Sequence, residues 1–119
     1  MCEDENKIQI DSIIYSLNES NNTANIIGSD TENGDIFIPR SITNNTKEYI
    51  VESILSMRPE KRKVKSVQFA PDSELKTIGS HSFAGQPIRT FSVPRHVIKI
   101  CSNAFLYCDK LLKIEIPND

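Results

Sequence analysis

Apolar residues recur at a fixed spacing in the second half of the chain. Three segments, 64–69, 88–93 and 111–116, each carry apolar residues at their first, fourth and sixth positions. The first two segments begin 24 residues apart, and the next two begin 23 apart. A period in the twenties is typical of a solenoid, in which successive coils stack on one another. One coil cannot bury its apolar side chains alone, so we expect stability to arise from contacts between neighbouring coils.

The three segments are predicted to be parallel strands of one sheet, each followed by a proline that ends the ladder. Alternate side chains of a strand point to opposite faces, so the intervening positions form exposed columns. One column comprises Ser66, Thr90 and Lys113, and the next comprises Gln68, Ser92 and Glu115, with Phe37 as its candidate continuation. Neighbouring strands lie about 4.8 Å apart, so these columns suit an extended protein surface and offer no deep pocket.

Each of the first two strands is followed by a second apolar stretch and then by a phenylalanine. The stretches 75–78 and 97–100 are predicted to be short return strands on the opposite face. Phe83 lies five residues beyond the first stretch, and Phe105 lies five beyond the second. We expect both rings to fill the corner where a coil turns back.

The same pattern continues upstream in a degraded form. Ile54 precedes Ile78 by 24 residues, which places the aromatic corner position of this coil at Pro59. Residues 44–49 are predicted to be a long loop ahead of the apolar stretch 50–54.

The first third of the chain does not repeat. Segments 13–17 and 23–27 are predicted to be strands joined by a turn at 18–22, and Asn33-Gly34 is a second turn signal. We expect an antiparallel cap here, because an open solenoid end exposes apolar surface and strand edges. The predicted organisation is an acidic segment with a β cap (1–35) and a solenoid (36–119), the latter divided into a degenerate coil (36–63), two full coils (64–87 and 88–110) and a partial coil (111–119).

The composition favours a β-rich fold. Ile, Val and the aromatic residues number 30, whereas Leu, Ala and Met number 12. Branched and aromatic side chains fit pleated, half-buried surfaces. Apolar residues make up 38% of the chain, which is enough for a thin core. The formal net charge of −2 provides no strong field to attract nucleic acid or an anionic membrane.

The charge is nevertheless uneven along the chain. Residues 1–57 carry a net charge of −7, and residues 58–119 carry +5. The basic excess begins at 58–65, a pattern also found in nuclear-import and nucleic-acid-binding segments. This stretch has no interleaved aromatic residue for base stacking and falls on an irregular loop, where solvated charge is expected. We therefore do not expect nucleic-acid binding.

No feature of the sequence predicts export or membrane insertion. The N-terminus is acidic and polar, and no uncharged apolar run approaches the length of about 18 residues that a membrane span needs. The three cysteines, Cys2, Cys101 and Cys108, do not make a disulfide framework and suit a reducing compartment. These features predict a cytoplasmic protein or part of an intracellular assembly, without a membrane span.

The sequence offers no set of residues that would support catalysis. Cys101 and Cys108 have no further thiol or imidazole nearby to complete a metal site, so we interpret them as core or loop thiols, with a redox pair as the alternative. His81 and His96 lie in different coils, and the coil loops offer no evident oxyanion donors for a catalytic base. We predict that the protein is not an enzyme and uses no cofactor or metal.

The repeats resemble the BspA-like leucine-rich repeats, also called the Treponema pallidum type. The family pattern is an apolar strand ending in proline, a short I-x-x-I-G segment and an x-x-A-F-x-x-C/N corner. Segments 88–94, 97–100 and 104–108 match it, and 75–79 with 82–85 form a close second copy. The resemblance implies a β-rich, horseshoe-like solenoid of about three short coils that binds proteins. Members occur as surface antigens and adhesins and as intracellular proteins, so the resemblance also allows a location at the cell surface.

The first functional hypothesis is a non-enzymatic module that binds a protein partner through the exposed columns and loops. One alternative is a structural subunit of a larger assembly, in which the strand edge at 111–116 meets a second copy or another protein. The other alternative is a fragment of a surface-antigen-like adhesin. The sequence does not identify the partner, the oligomeric state or the compartment.

Overall fold

Strands form where apolar and polar residues alternate along the chain. The computed structural model describes residues 6–57 and 64–117, and these residues form eleven β-strands and no α-helix. In the second strand, Ile13, Tyr15 and Leu17 are buried while the residues between them are half-buried. The strands are β1 (Lys7–Ile10), β2 (Ile13–Asn18), β3 (Thr23–Ser29), β4 (Asp35–Ile38), β5 (Ser41–Asn44), β6 (Lys47–Ile54), β7 (Ser66–Phe69), β8 (Thr77–Ile78), β9 (Thr90–Ser92), β10 (Lys99–Ile100) and β11 (Lys113–Glu115).

Seven strands form one long sheet in the order β1-β2-β3-β6-β8-β10, with β5 paired to β6. Strands β1, β2 and β3 pair antiparallel, whereas β3, β6, β8 and β10 pair parallel. The antiparallel cap at the start of the solenoid is therefore confirmed. Cap and solenoid share this sheet through the β3–β6 pairing, and the predicted division at residue 35 stays a prediction.

The turn between β2 and β3 follows the sequence prediction. Asn18 Oδ1 accepts a hydrogen bond from the Ser20 amide at 3.0 Å, which replaces a backbone partner in the turn. Asn22 takes a left-handed conformation with φ of 60°, which asparagine tolerates better than most residues. The second predicted turn also forms, with Gly34 at φ of 88° and its amide bound to Thr31 Oγ1.

The predicted loop at 44–49 is wrong. The structure has a tight hairpin instead, in which β5 and β6 pair antiparallel with Asn44 opposite Lys47. Asn45 and Thr46 both have positive φ angles, of 54° and 66°. Two central residues of positive φ define the turn whose twist matches that of the flanking strands, so a two-residue loop closes this hairpin.

The two predicted return strands form at the expected place. Strands β8 and β10 pair parallel, with Thr77 opposite Lys99 and Ile78 opposite Ile100. Their hydrogen bonding extends to β6 of the preceding coil, where Ile54 lies opposite Ile78. The spacing of 24 residues read from the sequence is thus a spacing between stacked coils.

The front strands are β4, β7, β9 and β11, and they pair two by two. Strand β4 pairs parallel with β7, and β9 pairs parallel with β11. Strands β7 and β9 lie against each other, but the described residues form two short sheets and not the single sheet that the sequence predicts. Ahead of these two strands, the amide of Val64 donates to the side-chain Oε1 of buried Gln86 at 3.1 Å, so a side chain and not a backbone carbonyl is the partner of this amide.

The corner of the coils is filled by stacked phenylalanines. Phe83 is fully buried, and Phe105 stacks on it with ring centroids 5.5 Å apart and planes within 8°. Phe91 of the front strand β9 contacts both rings, with centroid distances of 5.2 and 4.9 Å. Phe69 meets Phe91 edge-on at 5.7 Å. These rings join the two full coils into one core.

The corner of the first coil is occupied by Met57. The predicted corner residue, Pro59, lies outside the described residues. The Met57 amide donates to the Ser82 carbonyl at 2.9 Å, as the Phe83 amide donates to the Ala104 carbonyl one coil later at 2.8 Å. Met57 is also fully buried, so a flexible thioether takes the place that an aromatic ring holds in the later coils.

Candidate protein-binding face

The predicted columns lie next to each other across each pair of front strands. Ser66 lies opposite Asp35, and Gln68 lies opposite Phe37. In the other pair, Thr90 lies opposite Lys113 and Ser92 lies opposite Glu115. The eight residues are called the front face, and its members are Asp35, Phe37, Ser66, Gln68, Thr90, Ser92, Lys113 and Glu115. Apart from half-buried Ser66, all of them are exposed.

Asp35 was missed in the sequence. Its carboxylate accepts a hydrogen bond from the Ser66 hydroxyl across the strands, at 2.7 Å from Oδ1. The alternation of side chains along the strand could have identified it, because Asp35 precedes Phe37 by two residues and therefore points to the same face.

Polar side chains on the other half of the front face bind one another. The Ser92 hydroxyl donates to Glu115 Oε1 at 2.7 Å, and Lys113 Nζ lies 3.2 Å from Glu115 Oε2. The hydrogen bond from Ser92, followed by the contact with Lys113, lowers the pKa of the Glu115 carboxyl. Glu115 therefore stays ionised at neutral pH and presents a fixed acceptor beside a cation.

A groove lies where the two pairs of front strands meet. It has a volume of about 530 Å³ and lies between the ends of β7 and β9, where Gln68 and Phe69 face Val93 and Pro94. Phe37 borders it with 55% of its surface exposed. The sequence predicts no such groove, because it forms between residues of different coils.

The outermost coil of the described chain exposes apolar side chains. They are called the end face, and its members are Ile98 (81% exposed), Ile100, Leu112, Ile114 and Ile116 (70% exposed). An open cavity of about 390 Å³ lies between the two layers at this end, bordered by Ile98, Ile100 and Ile116. Within residues 6–57 and 64–117, no strand pairs with the outer edge of β10 or β11.

The cysteines and histidines do not join a cluster of three or more metal-ligating side chains in the part of the chain that the structure describes. Cys108 is half-buried with Sγ 3.1 Å from the Phe83 carbonyl, and burial raises the pKa of its thiol, which disfavours the reactive thiolate. Ser80 Oγ lies 3.2 Å from His81 Nδ1 but also donates to the Ser102 carbonyl, and both side chains are at the surface. The basic residues 58–63 lie outside the described residues.

Ion pairs elsewhere join neighbouring coils rather than build a site. Arg40 donates through Nε to Glu74 Oε2 at 3.0 Å, and this hydrogen bond raises the pKa of the guanidinium. Lys76 lies 3.8 Å from Glu52 of the preceding coil. All four side chains are partly or largely exposed, so these pairs contribute little to stability.

The repeat region matches a known family. The model of the BspA type leucine rich repeat region matches residues 34–119 in six copies. The chain belongs to the BspA-type leucine-rich repeat family. The parallel coils and the phenylalanine corner are thus the BspA-type repeat, and the resemblance seen in the sequence is confirmed. No curated protein matches the chain.

Solved structures of other leucine-rich repeat proteins share the fold. One from Bacteroides capillosus is 18% identical, with a TM-score of 0.63 over 96% of this chain and 100% of that one. The pneumococcal vaccine antigen PcpA is 19% identical, with a TM-score of 0.63 over 93% of this chain and 38% of its own. A leucine rich cell surface protein from Faecalibacterium prausnitzii is 18% identical, with a TM-score of 0.49 over 93% of this BspA-type chain and 42% of its own.

The likeness establishes the solenoid fold of this BspA-type chain. It extends over the cap as well as the repeats, because at least 93% of the chain is covered in each comparison. The chain spans all of the first neighbour but only 38% of PcpA, so it corresponds to part of that larger protein. In the residues that the structure describes, no helix has the length and hydropathy of a membrane span.

Proposed function

We propose that this BspA-type chain is a non-enzymatic module that binds a protein partner through its front face. The observation that carries the proposal is the combination of exposed columns on paired strands with a groove between the pairs. BspA-type repeats generally occur in proteins that interact with other proteins or lie at surfaces, which supports the proposal. No group of residues on the face suggests a chemical reaction.

The face offers different contacts at its two ends. Phe37 provides an exposed aromatic ring at the border of the groove, and such rings contribute strongly to protein interfaces. Lys113 and Glu115 provide opposite charges at the other end. An extended segment of a partner would place an apolar side chain in the groove and polar side chains along the columns, since these lie one strand spacing apart.

A site-specific crosslinking experiment tests the front face. A photoreactive phenylalanine analogue is placed at Gln68 beside the groove or, as the control, at exposed Glu19 in the turn between β2 and β3. We expect a protein crosslinked from the source cells only at Gln68, and we expect Phe37→Ala to abolish that product. A product that is the same from both positions, or that survives Phe37→Ala, would contradict the proposal.

A second function is favoured by the end face. We propose that the chain associates with itself or with another subunit through segment 111–116, as a structural part of an assembly. The exposed Ile114 and Ile116 support this. So does the outer edge of β11, with which no strand of residues 6–57 and 64–117 pairs, because unprotected edge strands readily pair with further strands.

Location is a separate proposal. The structural neighbour PcpA is described as a pneumococcal vaccine antigen. We propose an adhesin-like role at the cell surface as the alternative to the intracellular location that the sequence predicts. Labelling of intact source cells with an impermeant amine reagent distinguishes the two, since only a surface protein would be modified before lysis.

A further inference from the structure

We infer that two copies of the chain form a symmetric dimer in which β11 pairs antiparallel with β11 of the second copy, centred on Ile114. The inference rests on the proposed self-association through segment 111–116 and adds the register and symmetry of that contact. It concerns the end face and does not involve the groove.

The backbone amide and carbonyl of Ile114 in β11 point away from β9, as this register requires. The Lys113 amide donates to the Arg89 carbonyl at 3.3 Å, and the Glu115 carbonyl accepts from the Val93 amide at 2.8 Å. The Leu112 amide, which precedes the strand, also donates to the Arg89 carbonyl at 2.7 Å, so the alternation begins at Lys113. Lys113 and Glu115 therefore bond toward β9. Successive residues of a strand direct their backbone groups to opposite sides, so the amide and carbonyl of Ile114 face the open edge. Two copies meeting at Ile114 would exchange both hydrogen bonds.

The side chains of β11 complement their own copies in this register. Antiparallel pairing about Ile114 places Lys113 opposite Glu115 of the second copy, and Glu115 opposite Lys113 of the second copy. It also places Leu112 opposite Ile116 of the second copy, and the reverse. Opposite charges and apolar pairs directly across a ladder are the favourable cross-strand combinations. Moving the centre of the pairing from Ile114 to a neighbouring residue would place Lys113 opposite Lys113, or Glu115 opposite Glu115, and lose both charge pairs.

In this symmetric dimer the second copy also covers the rest of the end face. A two-fold axis perpendicular to the sheet keeps Lys113 and Glu115 on the same outer surface in both copies. It brings the two end faces together, with Ile98, Ile100 and Ile116 of each copy bordering one shared space. Side chains that are largely exposed in the single chain would then be buried, which is favourable for association.

A second copy fits this edge better in the symmetric arrangement than in a head-to-tail stack. Parallel pairing of β11 with the outer edge of β4 would place Glu115 opposite Phe37 and leave the carboxylate without a cation across the strands. Lys113 would lie opposite Asp35, so the head-to-tail arrangement has one charge pair across the strands where the symmetric one has two. Head-to-tail contacts also do not close and would produce open-ended oligomers.

Sedimentation of charge-reversal variants tests the register. The unaltered chain is expected to be a dimer at about 100 µM. Lys113→Glu places two pairs of glutamates across the interface, and Glu115→Lys places two pairs of lysines there. Each should weaken the dimer by about tenfold or more. Both residues are exposed in the single chain, with side-chain exposures of 64% and 54%, so the fold should be retained.

A mixture of the two variants provides the decisive measurement. In a mixed dimer, position 113 of the Lys113→Glu copy lies opposite position 115 of the Glu115→Lys copy, which restores both charge pairs. The mixture should therefore dimerise as tightly as the unaltered chain. The control is Lys65→Glu, an exposed lysine ahead of β7, which should leave the dimer unchanged.

Each contrary result overturns a different part of the inference. A chain that stays monomeric overturns the dimer and the proposed self-association together. A dimer that neither single variant weakens, or that the mixture fails to restore, overturns this register while self-association stands. Oligomers that grow beyond the dimer with concentration would indicate the head-to-tail stack and also overturn the symmetric pairing.

Discussion

Single residues at equivalent repeat positions differ in how much they contribute to the fold. Phe83 and Phe105 follow their return strands at the same interval, and from the sequence alone their removal should cost the same. In the structure, Phe83 is fully buried between neighbouring coils, whereas Phe105 lies in the outermost described coil and is only half-buried. Burial depends on which coils lie on either side, so the two positions are not equivalent.

The cost of removing each ring should therefore differ. Phe83→Ala is expected to lower the free energy of unfolding by about 3–5 kcal/mol, because it leaves a cavity in the core. Phe105→Ala is expected to cost about 1–3 kcal/mol, since less apolar surface is lost. Urea denaturation of both variants measures the difference. Equal losses would contradict the assignment of Phe83 as the central corner residue.

A buried tyrosine makes stability depend on pH at the alkaline end. Burial, followed by the nearby charge of Asp11, raises the pKa of Tyr15 from 10.0 to about 12. Between these values the unfolded chain loses the phenolic proton while the folded chain keeps it. The unfolded state then binds fewer protons, so the free energy of unfolding falls as the pH rises through this range.

The alkaline loss of stability should disappear when the phenol is removed. The difference of two pKa units corresponds to about 3 kcal/mol that the unaltered chain loses between neutral pH and full ionisation. Tyr15→Phe should keep this part of its free energy of unfolding at alkaline pH. Denaturant titrations of both proteins at neutral and alkaline pH measure the loss. Parallel losses in the two proteins would show that Tyr15 does not carry the effect.

At the scale of elements, turn chemistry and strand pairing decide where the repeat pattern is interrupted. Between β5 and β6, Asn45-Thr46 lacks the glycine that usually marks a two-residue turn, so the sequence carries no strong signal for this hairpin. Thr46 nevertheless adopts φ of 66°, which is strained for a branched side chain. The hairpin forms because β6 is already held between β3 and β8 in the long sheet.

Relieving the strain in this turn should stabilise the protein. Thr46→Gly is expected to raise the free energy of unfolding by up to about 1 kcal/mol, because removal of the branched side chain outweighs the added freedom of the unfolded chain. Thr43→Gly in β5 serves as the control and should lower it, since that residue is within a strand. Thermal unfolding measures both, and a loss at position 46 would argue against the left-handed turn.

For the whole molecule, the close stacking of coils is the property on which the fold depends. The Gly79 amide donates to the Ile54 carbonyl of the preceding coil at 2.7 Å. A Cβ atom at position 79 would lie 2.9 Å from that same carbonyl oxygen. Glycine is therefore required here by the distance between coils and not by a turn.

Adding one methyl group at this position should force the coils apart. Gly79→Ala is expected to cost about 1–3 kcal/mol through overpacking against backbone. Gly28→Ala is the matched control, because its Cβ would lie 3.5 Å from Ile14 Cδ1, an ordinary contact, and its effect should be small. The midpoints of thermal unfolding compare them, and equal shifts would contradict the close approach at Gly79.

Much of the architecture could be predicted from local patterns. The spacing of the return strands, the β2–β3 hairpin and the stacked phenylalanines follow from periodicity and turn residues, which act within one coil. The groove between β7 and β9 and the role of Met57 could not be predicted. The first is lined by residues of different coils, and the second depends on which residue meets the Ser82 carbonyl.

The sequence by itself therefore determined the coil length, the inward and outward positions of each strand and the family, because these properties repeat at short range. Only the tertiary structure decided which repeats are fully buried and where the front strands separate. Those outcomes depend on contacts between residues of different coils, and each such contact is settled by the shape and the hydrogen-bonding groups of both neighbours at once.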